Sequence, residues 1–312
     1  MGLSTALALR HHGVACTVVE RHPSTLDFPK GRGVSVRSME IFRRWGIADR
    51  LERVAMTRED SLYVFFGESL LADEFRRVGA PRAVVTDSPT EMLLCDQMAM
   101  EAELLAVERG VEVRTSTTLA RFEADHDGVT SHLAAADGTM VDVRSRWLVA
   151  ADGAHSPIRE VLGIGRSGAG RHGSAVSISF RAPIAERVRG RTAGIYHLSA
   201  TPGATLLTVD NAERWLIIRN VDPASEAAEL FTPAWATDLA RRALGDPAVP
   251  IEILGIRQWE STTLVADRFR AGGVFLVGDA AHVTTPIGGL GMNCGIGDAD
   301  NLAWKLAAVH HG

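Results

Sequence analysis

The segment Val274–Leu306, VFLVGDAAHVTTPIGGLGMNCGIGDADNLAWKL, constrains the fold more than any other part of this chain. Its first residues, Val274 to Gly278, form a short apolar run that reads as a buried parallel strand. The strand ends at Gly278-Asp279. Pro286 then precedes Gly288, Gly289, Gly291, Gly295 and Gly297, and a helix with apolar Leu302, Ala303, Leu306 and Ala307 follows. Residues without a Cβ let backbone N–H groups approach a flat ligand closely. N–H groups at a helix start also favour negative charge. The segment therefore reads as a ligand site lined by backbone, with one acid at a strand's carboxyl end.

Two further constellations fit the same picture. Gly2 and Glu20 lie 18 residues apart (20 − 2) on a helix–strand unit. In a dinucleotide-binding βαβ unit one glycine lets helix and strand pack closely, and an acid at the tip of the second strand accepts ribose hydroxyls. The first strand and first two glycines of that fingerprint do not precede Gly2, so the pair alone is a weak signal. In LVAADGAHSPIRE, Leu148–Glu160, a buried strand runs into Asp152-Gly153, and Ser156-Pro157 opens a helix as N-cap and first helical residue. An acid at that strand end can accept from sugar hydroxyls. The plainer reading is an Asp-Gly turn.

Composition narrows the class. The 312 residues carry 33 Lys+Arg against 38 Asp+Glu, a formal net charge of −5. A slightly acidic chain lacks the basic stripe of a nucleic-acid binder. No apolar run of about 18 residues is present, which predicts no membrane span. The N-terminus has no basic n-region of a secretory signal. Cys16, Cys95 and Cys294 form neither a disulfide framework nor a zinc pattern. A reducing, cytoplasmic setting and no metal site are expected.

Patterning along the chain predicts helices over Gly2–His12, Arg37–Trp45, Pro89–Arg109 and Pro233–Leu244. It predicts buried strands over Val14–Glu20, Val111–Arg114 and Trp147–Ala151. A β-meander is expected from Arg121 to Val143, turning at Asp127-Gly128 and Asp137-Gly138. From about Gly173 to Arg270 alternating strands dominate, as in SAVSISF, TAGIYHLS, ATLLTVD and RWLIIRN.

These residues resemble the FAD-dependent aromatic hydroxylases, the class A flavoprotein monooxygenases typified by p-hydroxybenzoate hydroxylase, and within them the phenol and polyketide hydroxylases. The likeness spans the whole chain. It rests on Glu20, on FPKGRGVSVRSMEIF and CDQMAMEAEL, on Asp152-Gly153, and on Gly278-Asp279 with its PIGGLGMN sequel. The fold it implies is α/β: a Rossmann-like FAD-binding domain with a parallel sheet and a β-meander, and a second α+β substrate domain with a mostly antiparallel sheet. The expected division is 1–60, 91–172 and 271–312 for the FAD-binding domain, and 61–90 and 173–270 for the substrate domain.

By the same resemblance, Glu20, with Arg21 beside it, holds the adenosine ribose. Arg32 and Arg37 lie near the pyrophosphate, and Gln97 touches the cofactor. Asp152-Gly153 serves FAD and the use of NADH or NADPH. Gly278-Asp279 binds the ribityl chain, and Pro286 to Asn293, with Gly289, Gly291 and Met292, wraps the isoalloxazine edge. The implied reaction uses NAD(P)H and O2 to hydroxylate a small phenolic or polyketide aromatic through a flavin C4a-hydroperoxide. The resemblance is compatible with a homodimer.

No general base is evident. Tyr196 and His197, on a strand of the expected substrate sheet, are the candidates to meet a phenol. Family members carry a strand and two glycines upstream and run further at the C-terminus. The chain therefore reads as trimmed at both ends. On that ground the alternative is an inactive fragment that folds marginally and holds FAD poorly. The six tryptophans never occur two apart, unlike the WxWxIP segment of flavin-dependent halogenases, and no close cysteine pair supports a disulfide reductase.

Overall fold

The computed structural model describes residues 1–312 except 26, 62, 80–86, 108–109, 223–225, 227–230 and 287. In chain order the elements begin with α1 (Gly2–His11), β1 (Thr17–Val19), β2 (Gly33–Val34), α2 (Val36–Arg44), α3 (Ala48–Val54), α4 (Arg58–Ser61), β3 (Tyr63–Gly67) and β4 (Phe75–Gly79). Next come β5 (Leu93–Leu94), α5 (Gln97–Leu105), β6 (Glu112–Arg114), β7 (Thr117–Ala124), β8 (Val129–Ala135), β9 (Met140–Ser145), β10 (Leu148–Ala150) and α6 (Pro157–Val161). The remainder is β11 (Arg166–Arg181), β12 (Ile195–Leu198), β13 (Ala204–Thr208), β14 (Arg214–Val221), α7 (Pro233–Leu244), β15 (Glu252–Ala266), β16 (Arg270–Ala271), β17 (Val274–Leu276), a 3-10 turn Gly278–Ala280, β18 (His282–Val283) and α8 (Leu290–His311).

Local chemistry explains the boundaries. At α7, Thr232 caps the first turn by accepting from Trp235 N–H, Pro233 opens the helix, and Gly245 at φ +80° closes it. At α2, Ser35 accepts from Ser38 N–H, and Met39, Ile41 and Phe42 fall on the buried face. The meander β7–β8–β9 turns where Asp125 Oδ1 accepts from the N–H groups of Asp127 and Gly128.

Five sheets form. β1 pairs parallel with β6, and β10 pairs parallel with β17, which also carries β16. The largest sheet has eight strands in the order β18-β15-β11-β14-β13-β12-β3-β4, antiparallel except where β12 runs parallel to β3. One apolar core lies among α1, α2, α5 and α8 and includes Phe42, Trp45 and Ile296. A second lies between the eight-stranded sheet and α7 and includes Phe65, Tyr196, Trp215 and Leu239. A small seam joins Phe28, from the loop before β2, to Leu216 and Val209 on the sheet's other face.

Three sequence expectations need correction. The helix expected over Pro89–Arg109 is only Gln97–Leu105. Leu93–Leu94 pair instead with β2, and Asp96 takes the N-cap position; Arg109 lies outside the described residues. The buried strand Val14–Glu20 is Thr17–Val19, with Thr17 and Val19 exposed, because its sheet has only β6 as partner. β15 was not anticipated as one 15-residue strand, nor β11 as starting at Arg166. Gly168, Gly170 and Gly173 broke the alternation of β11, and they coincide with its register shifts against β15.

Candidate functional site

Two acid-bearing turns leave neighbouring strands at the same end. β10 and β17 run in parallel register, Ala150 beside Leu276, and Val277 N–H donates to Ala150 O at 3.0 Å. Asp152-Gly153 and Gly278-Asp279 therefore emerge side by side at the carboxyl ends of the strands, where open α/β sheets bind ligands. Arg159 on α6 ties them together. Its Nη1 donates to Ala154 O at 3.2 Å and to Ala280 O at 3.1 Å, and Arg166 Nη1 adds a bond to Ala154 O at 3.0 Å. Arg159 is 2% exposed, and burial pulls its guanidinium pKa down. Replacing Arg159 by Met keeps the bulk but removes both ties. It is expected to cost about 2–4 kcal/mol of stability, read as a lower urea midpoint with unchanged slope.

The helix starts close in on these turns. A Cβ on Gly278, at φ +58°, would meet Met1 Cγ at 2.6 Å, and one on Gly295 would meet Gly278 Cα at 3.4 Å. A Cβ on Gly2 would touch Val18 Cγ1 at 3.7 Å and Ala151 Cβ at 4.0 Å, so α1 lies tight against both β1 and the end of β10. The charges of Glu101, Asp279 and Glu20 all reach the start of α1. Glu20 N–H donates to Arg114 O at 2.9 Å, and Glu20 Oε1 accepts from His22 N–H at 2.9 Å. Arg21 is exposed and leans on His22.

Gly31, Gln97 and Met292 pack together. Gln97 Oε1 accepts from Gly31 N–H at 3.0 Å, and a Cβ on Gly31 would meet Met292 Sδ at 3.0 Å. Asn293 is wholly engaged in structure. Its Oδ1 accepts from Ser35 N–H and Ser38 Oγ, and its Nδ2 donates to Gly33 O and Gly289 O. These bonds dock α8 on the β2–α2 junction. Pro286 O accepts from Gly289 N–H at 3.0 Å, and Gly288 and Gly289 both take positive φ, a path that needs glycine. Ile287 lies outside the described residues. No side chain caps α8, so its first-turn N–H groups are open to a ligand.

The donor and acceptor set suits FAD. Asp152 Oδ1 and Thr284 Oγ1 are buried without a hydrogen-bond partner, although Asp152 Oδ2 accepts from Ile158 N–H. Asp279 is exposed and makes no hydrogen bond or ion pair among the described residues. Carboxylates of this kind match hydroxyl-rich ribityl and ribose chains, and the bare helix start matches the carbonyl edge of an isoalloxazine.

The side chains of three expected site residues have other partners. Arg32 Nη1 donates to Gly194 O at 3.0 Å and Thr208 O at 2.6 Å, tying the loop to the eight-stranded sheet. Its burial pushes its pKa down to about 10, with Asp96 opposing. Arg37 is 67% exposed and pairs with Glu40 on the surface of α2. Tyr196 is fully buried in the core. Its hydroxyl accepts from Ala193 N–H and donates to Asn211 Oδ1, and burial raises its pKa strongly, so it cannot meet a substrate. The neighbouring His197 points to the other face, is exposed, and stacks on Phe66 at 5.4 Å. Sequence reasoning missed Arg159 and Thr284. An arginine inside SPIRE reads as surface, and nothing marks a threonine between a strand and Pro286.

A family model described as an FAD binding domain matches residues 1–312. The chain belongs to that FAD-binding family. A relative from Streptomyces halstedii, provisionally named a polyketide hydroxylase, is 42% identical over 99% of this chain and 58% of its own length. A tetracenomycin A2 monooxygenase-dioxygenase from Streptomyces glaucescens is 36% identical over 100% of this chain and 60% of its own. The crystal structure of aklavinone-11 hydroxylase with FAD and aklavinone superposes with a TM-score of 0.91 at 36% identity, covering 100% of this chain and 61% of that one. The chain thus spans about three fifths of the family relatives it matches. Among the described residues, no helix is long and apolar enough to cross a membrane.

Proposed function

We propose that this chain forms the FAD-holding part of a monooxygenase that uses NAD(P)H and O2 to hydroxylate a phenolic or polyketide aromatic. The observation that carries this is the side-by-side pair of turns, Asp152-Gly153 and Gly278-Asp279, within one cluster with the uncapped start of α8. The names of the relatives support the substrate class. Bound FAD, held by Asp279, Glu20, Asp152 and the start of α8, would supply the redox chemistry.

The chain's residues supply position and charge. Asp279 accepts from the ribityl chain and Glu20 from the adenosine ribose. Asp152, beside the same turn, offers its free oxygen to the cofactor. The N–H groups at Gly291 to Asn293 stabilise negative charge that gathers on the reduced ring. His197 shares a sheet face with Thr205 and Ile218, its cross-strand neighbours, and Ile218 packs in the Phe28 seam. That face, rather than the core side occupied by Tyr196, is where an aromatic substrate meets the protein.

The test uses the full-length protein with FAD bound. NAD(P)H consumption is followed with a panel of phenols and polyketide aromatics under isotopically labelled O2. One labelled oxygen atom in the hydroxylated product is expected. Label arriving from water, or peroxide without hydroxylated product across the panel, overturns the reading.

A further inference from the structure

Asp298 lies two turns into α8, and its Oδ2 accepts two hydrogen bonds at once. One comes from the backbone N–H of Gly278 at 2.9 Å and the other from His282 Nε2 at 2.7 Å. Gly278 and His282 bracket the stretch that carries Asp279. The side chains of His282 and Asp298 are 12% and 24% exposed, so the junction is largely shielded from water. Asp279 itself makes no hydrogen bond or ion pair among the described residues, so the backbone of the turn sets where it starts from. Gly278 N–H, deprived of Asp298, would lose its acceptor in a buried place, which is costly.

We propose that Asp298 is a positioning residue for the cofactor. It pins both ends of the turn to the helix whose start faces the flavin, and thereby fixes where the Asp279 carboxylate meets the ribityl chain. This inference rests on the reading of Asp279 as a cofactor ligand.

The junction also includes a titratable group. The hydrogen bond from Asp298 raises the pKa of His282; burial opposes it, and the charges of Asp298 and Asp279 add to it. Asp298 faces His282 from α8, and Asp279 faces it from the turn. β15 contributes Val265 as its register partner, and the following loop contributes the Phe269 ring at 6.0 Å, neither charged. A histidine whose folded pKa is raised stabilises fully below its unfolded pKa and loses that contribution as pH rises through the folded value. The turn is therefore held most firmly at mildly acidic pH, and FAD affinity declines as His282 deprotonates.

Equilibrium dialysis of FAD against the full-length protein, from mildly acidic to mildly alkaline pH, tests this. Asp298→Ala is expected to weaken FAD about tenfold. In an Asp279→Ala background the same change adds less than about twofold, because the two residues act as one unit. Asp298→Asn keeps an acceptor for Gly278 N–H and loses the charge. It holds FAD more tightly than Asp298→Ala and shows no pH slope, as does His282→Gln. No loss in Asp298→Ala, an equal loss in both backgrounds, or an unchanged pH slope in Asp298→Asn overturns the proposal. Wild-type affinity in Asp279→Ala alone instead removes the cofactor reading beneath it.

Discussion

Replacing Asp279 by Ala is expected to weaken FAD binding at least tenfold while leaving the melting temperature of the FAD-free protein unchanged. The carboxylate is exposed and makes no hydrogen bond or ion pair among the described residues, so the folded chain loses little beyond its weak charge interaction with His282. A bond from a cofactor hydroxyl to a charged acceptor contributes about 1.5–3 kcal/mol, and each 1.4 kcal/mol is about tenfold in affinity. Asp279→Asn, which keeps an acceptor oxygen, should lie between the two. Equilibrium dialysis gives the affinity and a thermal melt gives the stability. Equal affinity in wild type and Asp279→Ala would remove Asp279 from the cofactor site.

Arg32→Met should act on stability rather than on the cofactor. The guanidinium donates to two backbone carbonyls at the ends of strands in the eight-stranded sheet, and its charge reaches Asp96. Asp96 is buried, and Arg214 Nη1 stands 3.8 Å from its Oδ2. Burial raises the Asp96 pKa, and the charge of Arg214, the Met98 N–H and the charge of Arg32 hold it back. The substitution is expected to cost about 3 kcal/mol at neutral pH from two charged hydrogen bonds. Without Arg32 the Asp96 pKa climbs further. A carboxyl whose folded pKa is raised binds its proton more tightly in the folded state, so stability rises as pH falls towards the ordinary carboxylate range. Urea denaturation at two pH values should therefore show a smaller loss at acidic pH than at neutral pH. An equal loss at both would show that Asp96 does not sense Arg32.

The sequence made the turns proposed to hold the cofactor legible because that end of the molecule is built from backbone. Strands ending at Asp152 and Asp279, and glycines at 288, 289 and 295, leave their mark in residue type, since only glycine takes those angles or allows those approaches. α7 was readable to the residue because Thr232, Pro233 and Gly245 each signal a boundary. Contacts between distant segments were not readable. Nothing in the sequence says that Arg32 reaches across to Thr208 or that Arg159 joins two turns, because an arginine's long side chain has no periodicity to betray its partner. Tyr196 and His197 show the limit most simply. A strand's alternation puts them on opposite faces, yet only the sheet's two sides, one packed on α7 and the other open at that row, decide which of them is buried.

The strand pair β11–β15 carries a consequence for anyone recombining this chain with its relatives. β11 is 16 residues long, roughly 50 Å at about 3.3 Å per residue. It starts at Arg166, which bonds the Asp152 turn, and ends at Arg181, deep in the large sheet. β15 returns along it to Ala266, which bonds Ala281 beside the Asp279 turn. The Asp152 and Asp279 turns and the sheet are thus two ends of one ribbon, with no hinge peptide between them to cut. Two of its three register shifts lie between Ser167 and Gly173, places where the ladder already relaxes. Chimeras spliced there, in both strands together, should keep the ribbon continuous, whereas splices at the nearest surface loop would transplant half a ladder without its mate.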